Sequence, residues 1–196
     1  GKTTLINIIS GLLKPTEGFI QIDDQVVTEN MNLWQKKIGL ISQENYLLDD
    51  TIKNNIVFLS QDEKINLKNL EDSILFSGLK EFIDSLPEGI DTFVGEKGSF
   101  LSGGQIQRIA LARILYRNPD VLILDEFTNS LDYETESFIL EKINYLKLNK
   151  NKTIIMISHK MKPLSICDEI AILNERQVVD ILNYEEFFKR YNLLYD

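Results

Sequence analysis

The fold of this 196-residue chain is decided by residues 101–126, LSGGQIQRIALARILYRNPDVLILDE. A serine and two glycines open the stretch. The apolar residues that follow have helical spacing, which predicts an amphipathic helix over 104–117. The segment VLILDE at 121–126 is short, almost entirely apolar and ends in two acids, which predicts a buried strand. A helix followed at once by such a strand is typical of α/β proteins.

The rest of the chain continues this alternation. We predict further helices at 3–13, 134–148 and 184–194, strands at 19–22, 37–42 and 153–158, and a hairpin of 168–173 with 177–181. Continuous apolar strands between helices predict an α/β fold whose sheet is mainly parallel, with helices on both faces.

One segment interrupts the alternation. Between residues 51 and 90 polar residues mix with Leu, Ile and Phe at spacings of three and four, which predicts several short helices. We therefore expect a core domain formed by 1–50 and 111–196, into which a helical subdomain, 51–110, is inserted.

Composition restricts the classes of function. The net charge of −9, from 21 basic and 30 acidic residues, argues against nucleic acid as a partner, because phosphate backbones need clustered Lys and Arg. The single cysteine, Cys167, cannot form an internal disulfide, which favours a reducing compartment. No run of about 18 apolar residues is present, so this segment is not expected to span a bilayer.

The first four residues, Gly1-Lys2-Thr3-Thr4, match the end of a phosphate-binding loop. Backbone N–H groups at a helix N-terminus attract an anion, Lys2 would reach the β- and γ-phosphates, and the Thr3 hydroxyl would ligate Mg²⁺. The alternative is that GKT is simply a frequent tripeptide. We expect the chain to begin inside the motif, with a strand and further glycines upstream.

Two acids follow the predicted strand at 121–126, where α/β sheets bind ligands. Asp125 would hold Mg²⁺ and Glu126 would polarise an attacking water. An acidic helix cap is the alternative interpretation of this pair.

The stretch Ser102-Gly103-Gly104 is a second candidate anion site. Its glycines would let the backbone approach a phosphate closely, and Ser102 adds a hydroxyl donor. The alternative is a plain loop with a serine N-cap. That interpretation does not explain why one chain contains a second glycine-rich helix start of the kind that binds phosphate.

In chain order these motifs resemble the nucleotide-binding domain of ATP-binding cassette (ABC) transporters. The matching segments are GKTT (1–4), the Gln in ISQENYLLDDTIKNNI (41–56), LSGGQ (101–105), VLILDE (121–126), SLD (130–132) and the His in MISHK. The resemblance implies a P-loop NTPase core, an inserted helical signature subdomain, and ATP with Mg²⁺ as ligands.

The resemblance also implies a role for each matching residue. Gln43 would sense Mg²⁺ and the catalytic water, His159 would contact the γ-phosphate, and Asp132 would lie across a dimer seam. A polar strand-end residue is the alternative for Gln43, and a buried imidazole for His159. The implied sets are, for catalysis, Glu126, His159 and Gln43; for nucleotide binding, Gly1, Lys2, Thr3, Thr4, Ser102, Gly103, Gly104, Gln105 and Asp132; and for the metal, Thr3, Gln43 and Asp125.

The segment TFVGEKG at 92–98 resembles exporter-type domains. The resemblance implies an ATPase coupled to transport, a second nucleotide-binding domain as partner, and a transmembrane domain fused upstream. It places the domain at the cytoplasmic face of a membrane, such as a bacterial inner membrane, without a nucleic-acid partner. The alternative is a soluble ABC-family ATPase of DNA repair or translation.

Four residues differ from the usual pattern: Ile106, Phe127, Asn129 and Ser130. None of them removes a group that touches phosphate, so we expect them to tune activity. The adenine-stacking residue is expected upstream of Gly1. For that reason the 196-residue chain alone is expected to bind ATP poorly and to be less stable than the complete domain.

Overall fold

The computed structural model describes residues 1–27, 31–43, 45–58 and 64–191. Within these ranges no helix is both long and apolar enough to cross a membrane. Residues 192–194, which the sequence places in the closing helix, lie outside the described residues. The elements are α1 Lys2–Ile9, β1 Gln21–Ile22, β2 Gln25–Val26, α2 Met31–Lys37, β3 Ile38–Ile41, α3 Ile52–Val57, α4 Leu67–Phe76, α5 Lys80–Asp84, two 3₁₀ turns at Gly89–Asp91 and Glu96–Gly98, α6 Gly103–Tyr116, β4 Val121–Asp125, α7 Tyr133–Lys150, β5 Thr153–Ile157, α8 Met161–Leu164, β6 Ile170–Asn174, β7 Gln177–Leu182 and α9 Tyr184–Tyr191.

The central sheet is parallel, as the sequence predicts. Its strand order is β3-β4-β5, and Leu124 of β4 pairs with Ile41 on one side and Met156 on the other. All five residues of β4 are buried. Because neighbouring parallel strands cover both edges of β4 and helices cover its faces, its sequence is apolar up to the final acid.

Alternate residues of β4 face opposite helical layers. Leu124 belongs to the apolar cluster that includes Ile139 of α7. Its neighbour Ile123 belongs to the cluster on the other face, with Ile6 of α1 and Trp34 of α2. The side chains therefore follow the period of two expected of a strand, and the sheet is covered on both faces.

The first strand is shorter than predicted. The sequence predicts a strand over 19–22, but only Gln21–Ile22 is extended, paired with β2 in a two-residue antiparallel ladder. Asp23 and Asp24 have φ of 47° and 63° and form the turn. Asp tolerates this left-handed conformation better than most residues, so the chain reverses at once and the ladder stays short.

The helical block has its own apolar cluster. Buried residues of α3, α4, α5 and α6 form it, among them Ile56, Ile74, Ile83 and Ile109. Leu111, two residues after Ile109, belongs instead to the cluster on the sheet. The proposed boundary between 110 and 111 therefore runs through one helix, and the division into core and subdomain stays a prediction.

A groove of about 940 Å³ lies between β5 and the hairpin of β6 and β7. Ile6 of α1, Ile157 of β5, and Val179 and Ile181 of β7 are among the residues that line it. Val179 and Ile181 each keep more than half of their surface exposed. These two side chains therefore add little stability through hydrophobic burial.

Candidate nucleotide site

Several predicted site residues lie at one edge of the central sheet. Because β3, β4 and β5 are parallel, their carboxyl ends meet at the same edge. Gln43 follows β3, Asp125 ends β4 with Glu126 directly after it, and His159 follows β5. This edge is where open α/β sheets bind ligands.

The N-terminus of α1 reaches the same place. Lys2 Nζ lies 2.7 Å from His159 Nε2, although 157 residues separate the two in sequence. The same Nε2 lies 3.1 Å from Glu126 Oε1. Three predicted site residues from three distant segments are thus in direct contact.

The imidazole nitrogen of His159 can serve only one of these two neighbours at a time. Lys2 has donors and no acceptor, so it needs Nε2 unprotonated; Glu126 accepts only from a protonated Nε2. The His159 side chain is 61% exposed, whereas that of Glu126 is 20% exposed. The imidazole is therefore open to a ligand, and the carboxylate behind it is sheltered.

Glu126 adopts a strained backbone conformation. Its φ is 49°, the left-handed region that few residues other than glycine occupy. Its N–H still donates to the Ile157 carbonyl at 3.0 Å, so the turn starts directly at the end of the β4–β5 ladder. Strain of this kind is often found at functional sites, where it aims a side chain.

Asn129 is a site residue that sequence reasoning missed. Its Nδ2 donates to Glu126 Oε2 at 3.0 Å, so that amide and His159 hold opposite oxygens of one carboxylate. The sequence identified Asn129 only as a departure from the usual pattern. The sequence did contain a signal, because Asn129 lies three residues after Glu126 and a turn can bring its amide back to the carboxylate.

Asp125 is buried, with 8% of its surface exposed. Burial raises the pKa of its carboxyl, the charge of Glu126 raises it further, and Lys2 opposes both. Carboxylate and hydroxyl oxygens such as those of Asp125 and Thr3 are the hard ligands that Mg²⁺ prefers. Among the described residues no group of three or more His, Cys, Asp or Glu could hold a metal.

We expect Asp125→Asn to stabilise the nucleotide-free protein near pH 7. The folded-state pKa of Asp125 lies above its unfolded value, so the buried charge costs stability at high pH. This cost begins to fall when the pH drops to the folded-state pKa and is gone below the lower pKa of the unfolded state. Relaxing a functional site commonly adds roughly 0.5–2 kcal/mol, so the melting temperature should rise by a few degrees.

Thermal unfolding of Asp125→Asn and the wild type at several pH values checks this. The gain should shrink as the pH is lowered towards about 4, the ordinary range of aspartate. A gain that grew on acidification would contradict the assignment.

The stretch Ser102–Gln105 forms the start of α6 and closes a capping box. Ser102 Oγ accepts from the Gln105 N–H at 3.3 Å, and Gln105 Oε1 accepts from the Ser102 N–H at 2.8 Å. The N-cap that the sequence offered as the plain alternative is therefore present. It leaves the N–H groups of Gly103 and Gly104 without an intrahelical partner.

Both glycines lie against the loop that follows β4. A Cβ atom on Gly104 would lie 3.0 Å from the Ser130 carbonyl oxygen, and one on Gly103 would lie 3.5 Å from Ser130 Cβ. In the described part of the chain no hydrogen bond joins Ser102 or Gln105 to Lys2 or His159.

Asp132 caps α7. Its carboxylate accepts from the Thr135 N–H at 2.9 Å and from the Thr135 hydroxyl at 2.7 Å, and these bonds lower its pKa. The other predicted nucleotide contacts, Gly1, Thr3 and Thr4, are exposed at the start of α1, and Gln43 is exposed after β3. All four residues are therefore accessible from solvent.

The comparisons with known proteins all point to the same protein family. A family model described as ABC transporter matches residues 1–129. The ATP-dependent lipid A-core flippase of Bordetella avium is 38% identical over 181 residues, 92% of this chain. The mitochondrial ATP-binding cassette sub-family B member 10 of Mus musculus is 34% identical over the whole chain.

The fold is similar to a solved structure with ATP. A bacterial Atm1-family ABC exporter with ATP bound superposes with a TM-score of 0.88 at 30% identity, over 97% of this chain and 33% of that protein. The chain spans 30% of the flippase and 27% of the mouse protein. The similarity therefore concerns about a third of each longer protein.

Proposed function

The chain belongs to the ABC transporter family, and from this premise we propose that it is the ATP-binding and ATP-hydrolysing domain of an exporter-type transporter. The proposal rests on one observation above all, the contact of Lys2, His159 and Glu126 at the carboxyl edge of a parallel sheet. A cation, an imidazole and a sheltered carboxylate at such an edge suit phosphoryl transfer, which depends on positioning and charge stabilisation.

In the proposed reaction each residue has a distinct task. Lys2 and His159 bind the γ-phosphate, and Glu126 orients the attacking water and accepts its proton. Asp125, Thr3 and Gln43 would hold Mg²⁺. Bound Mg²⁺ would neutralise charge on the β- and γ-phosphates. Asn129 keeps the Glu126 carboxylate directed towards His159.

We propose that two copies, or this domain and a related one, close head-to-tail around ATP. Ser102, Gly103, Gly104 and Gln105 of one domain would then contact the phosphates bound at Lys2 of the other. The N–H groups of Gly103 and Gly104 support this arrangement, because they have no partner within α6 and are able to donate to a phosphate. Closing and opening would drive a transmembrane domain at the cytoplasmic face of a membrane, such as a bacterial inner membrane.

The alternative was a soluble ATPase of DNA repair or translation. Relatives of this chain include a lipid A-core flippase and a putative multidrug export protein, and both names describe transport. The acidic balance of the chain agrees with them. We therefore propose the transporter role alone.

The test is ATP hydrolysis by the intact protein reconstituted in lipid. We expect saturable hydrolysis, on the order of 1–10³ turnovers per second as for typical enzymes, that stops when Mg²⁺ is chelated. Folded, reconstituted protein that hydrolyses no ATP in the presence of Mg²⁺ would contradict the proposal.

A further inference from the structure

A buried carboxylate lies close behind the candidate site. Glu136 is on the first turns of α7, and only 7% of its side chain is exposed. A buried charge is costly unless it is paired and hydrogen-bonded. Its nearer cationic partner is Lys160, whose Nζ lies 3.1 Å from Glu136 Oε1, while Lys162 Nζ lies 4.0 Å from Oε2.

The same ammonium group holds the loop between β4 and α7. Lys160 Nζ donates to the Thr128 carbonyl at 3.0 Å. Thr128 is buried and lies two residues after Glu126, on the loop that ends at Asp132. One side chain therefore joins the loop of the general base to the helix behind it.

Lys160 is also the residue directly after His159. Ser158 Oγ accepts from the Lys160 N–H at 2.9 Å, which closes a tight turn around the histidine. The backbone that carries His159 is thus fixed by this turn, and its distance from the Glu126 loop is fixed by the Lys160 side chain. In this arrangement His159 Nε2 lies 3.1 Å from Glu126 Oε1.

We propose that Lys160 is a positioning residue for ATP hydrolysis, which through Thr128 and Glu136 sets the distance between His159 and Glu126. This inference rests on the proposed function. Lys160 touches neither of the two reacting groups, so it acts on catalysis through geometry. Loss of alignment of roughly 1 Å can lower a rate by about a hundredfold.

The test compares lysine-to-methionine variants of the intact protein. Methionine keeps most of the apolar stem and removes the ammonium group. We expect Lys160→Met to lower kcat for ATP hydrolysis by about tenfold to a hundredfold, with KM for ATP changed less than about twofold. Lys160→Arg, which keeps charge and donors, should recover most of kcat.

Lys162→Met is the matched control. Lys162 lies on the same segment and bonds Ser137 Oγ and the Tyr133 carbonyl, but its Nζ is 4.0 Å from Glu136 and it does not bond Thr128. We expect its kcat to stay within about twofold of the wild type, the scale of a surface contact. An equal loss in both lysine variants would overturn the proposal, because charge balance at Glu136 would then explain it.

A double variant separates misfolding from misalignment. Lys160→Met leaves Glu136 poorly paired, whereas Lys160→Met with Glu136→Gln removes the unpaired charge and still lacks the bond to Thr128. We expect the double variant to melt close to the wild type and to keep the low kcat. A wild-type kcat in that folded variant would overturn the inference. That result would not contradict the proposed function, which is contradicted only if the wild-type protein itself hydrolyses no ATP.

Discussion

Glu126→Gln should lower the ATP hydrolysis rate of the intact protein by roughly 10²- to 10⁴-fold, the usual contribution of a general base. The amide keeps the size of the side chain and can still contact His159 and Asn129, but it cannot accept a proton from water. Lys2 and the backbone of α1 are unchanged, so ATP should bind as before.

The same variant should accumulate a closed, ATP-loaded dimer. If both domains bind the γ-phosphate and it is not cleaved, the bound ATP continues to stabilise the closed interface. Distance measurements between the two nucleotide-binding domains, with and without ATP, would detect this state. Near-normal turnover in Glu126→Gln would remove Glu126 from the mechanism.

Glu134→Gln is the control for this experiment. It makes the same chemical change on an exposed residue in the first turn of α7. We expect the hydrolysis rate of this variant to equal that of the wild type. A loss in Glu134→Gln comparable to that in Glu126→Gln would show that general loss of acidic charge, and not the base, matters.

The elements built on strong periodicity could be predicted from the sequence. The helix predicted over 104–117 is Gly103–Tyr116, and the strand predicted over 121–126 is Val121–Asp125, one residue shorter because Glu126 turns into the left-handed region. Both are long or fully buried, so tertiary contacts and local pattern favour the same structure. The parallel sheet followed from the same continuous apolar strands.

Helix α2 could not be predicted in this way. Its sequence, MNLWQKK, has only three apolar residues, and no capping residue within it marks a start. Contacts with α1 hold it: Trp34 Nε1 donates to the Ile9 carbonyl at 2.6 Å, and Gln35 Nε2 donates to the Gly11 carbonyl at 3.0 Å. These donors complete carbonyls at the end of α1, which a local pattern does not reveal.

The identities of the site residues were accessible, but their geometry was not. Motif spacing pointed to Lys2, Glu126 and His159, yet contact between Lys2 and His159 depends on how the sheet brings segments 157 residues apart together. The left-handed φ of Glu126 and its bond to Asn129 arise from a turn that starts at the Ile157 carbonyl. Such details depend on the neighbouring strand and leave no periodic signal.

Lys2→Ala and Gly104→Asp should each abolish most hydrolysis as homodimers, by roughly 10²-fold or more, because each removes stabilisation of the same phosphate. Lys2 supplies the cation at α1. Aspartate at position 104 would add a negative charge where the phosphate bound at Lys2 of the other subunit is expected.

Combining the two changes in mixed dimers tests the head-to-tail arrangement. A dimer of one Lys2→Ala subunit and one Gly104→Asp subunit contains one intact composite site, made of Lys2 from the second subunit and Gly104 from the first. Its hydrolysis should be restored far above that of either homodimer. If each site were formed within a single chain, both sites of this mixed dimer would be damaged and no activity would return.

A second mixed dimer, with both substitutions in one subunit, should hydrolyse ATP poorly. A subunit with both Lys2→Ala and Gly104→Asp, paired with a wild-type subunit, has no intact composite site, because the wild-type Lys2 then faces a changed Gly104 and the wild-type Gly104 faces a changed Lys2. We expect hydrolysis as low as in the homodimers. Differently tagged, co-purified subunits allow both pairings to be measured side by side. Activity in this pairing and none in the first would show that one chain forms each site.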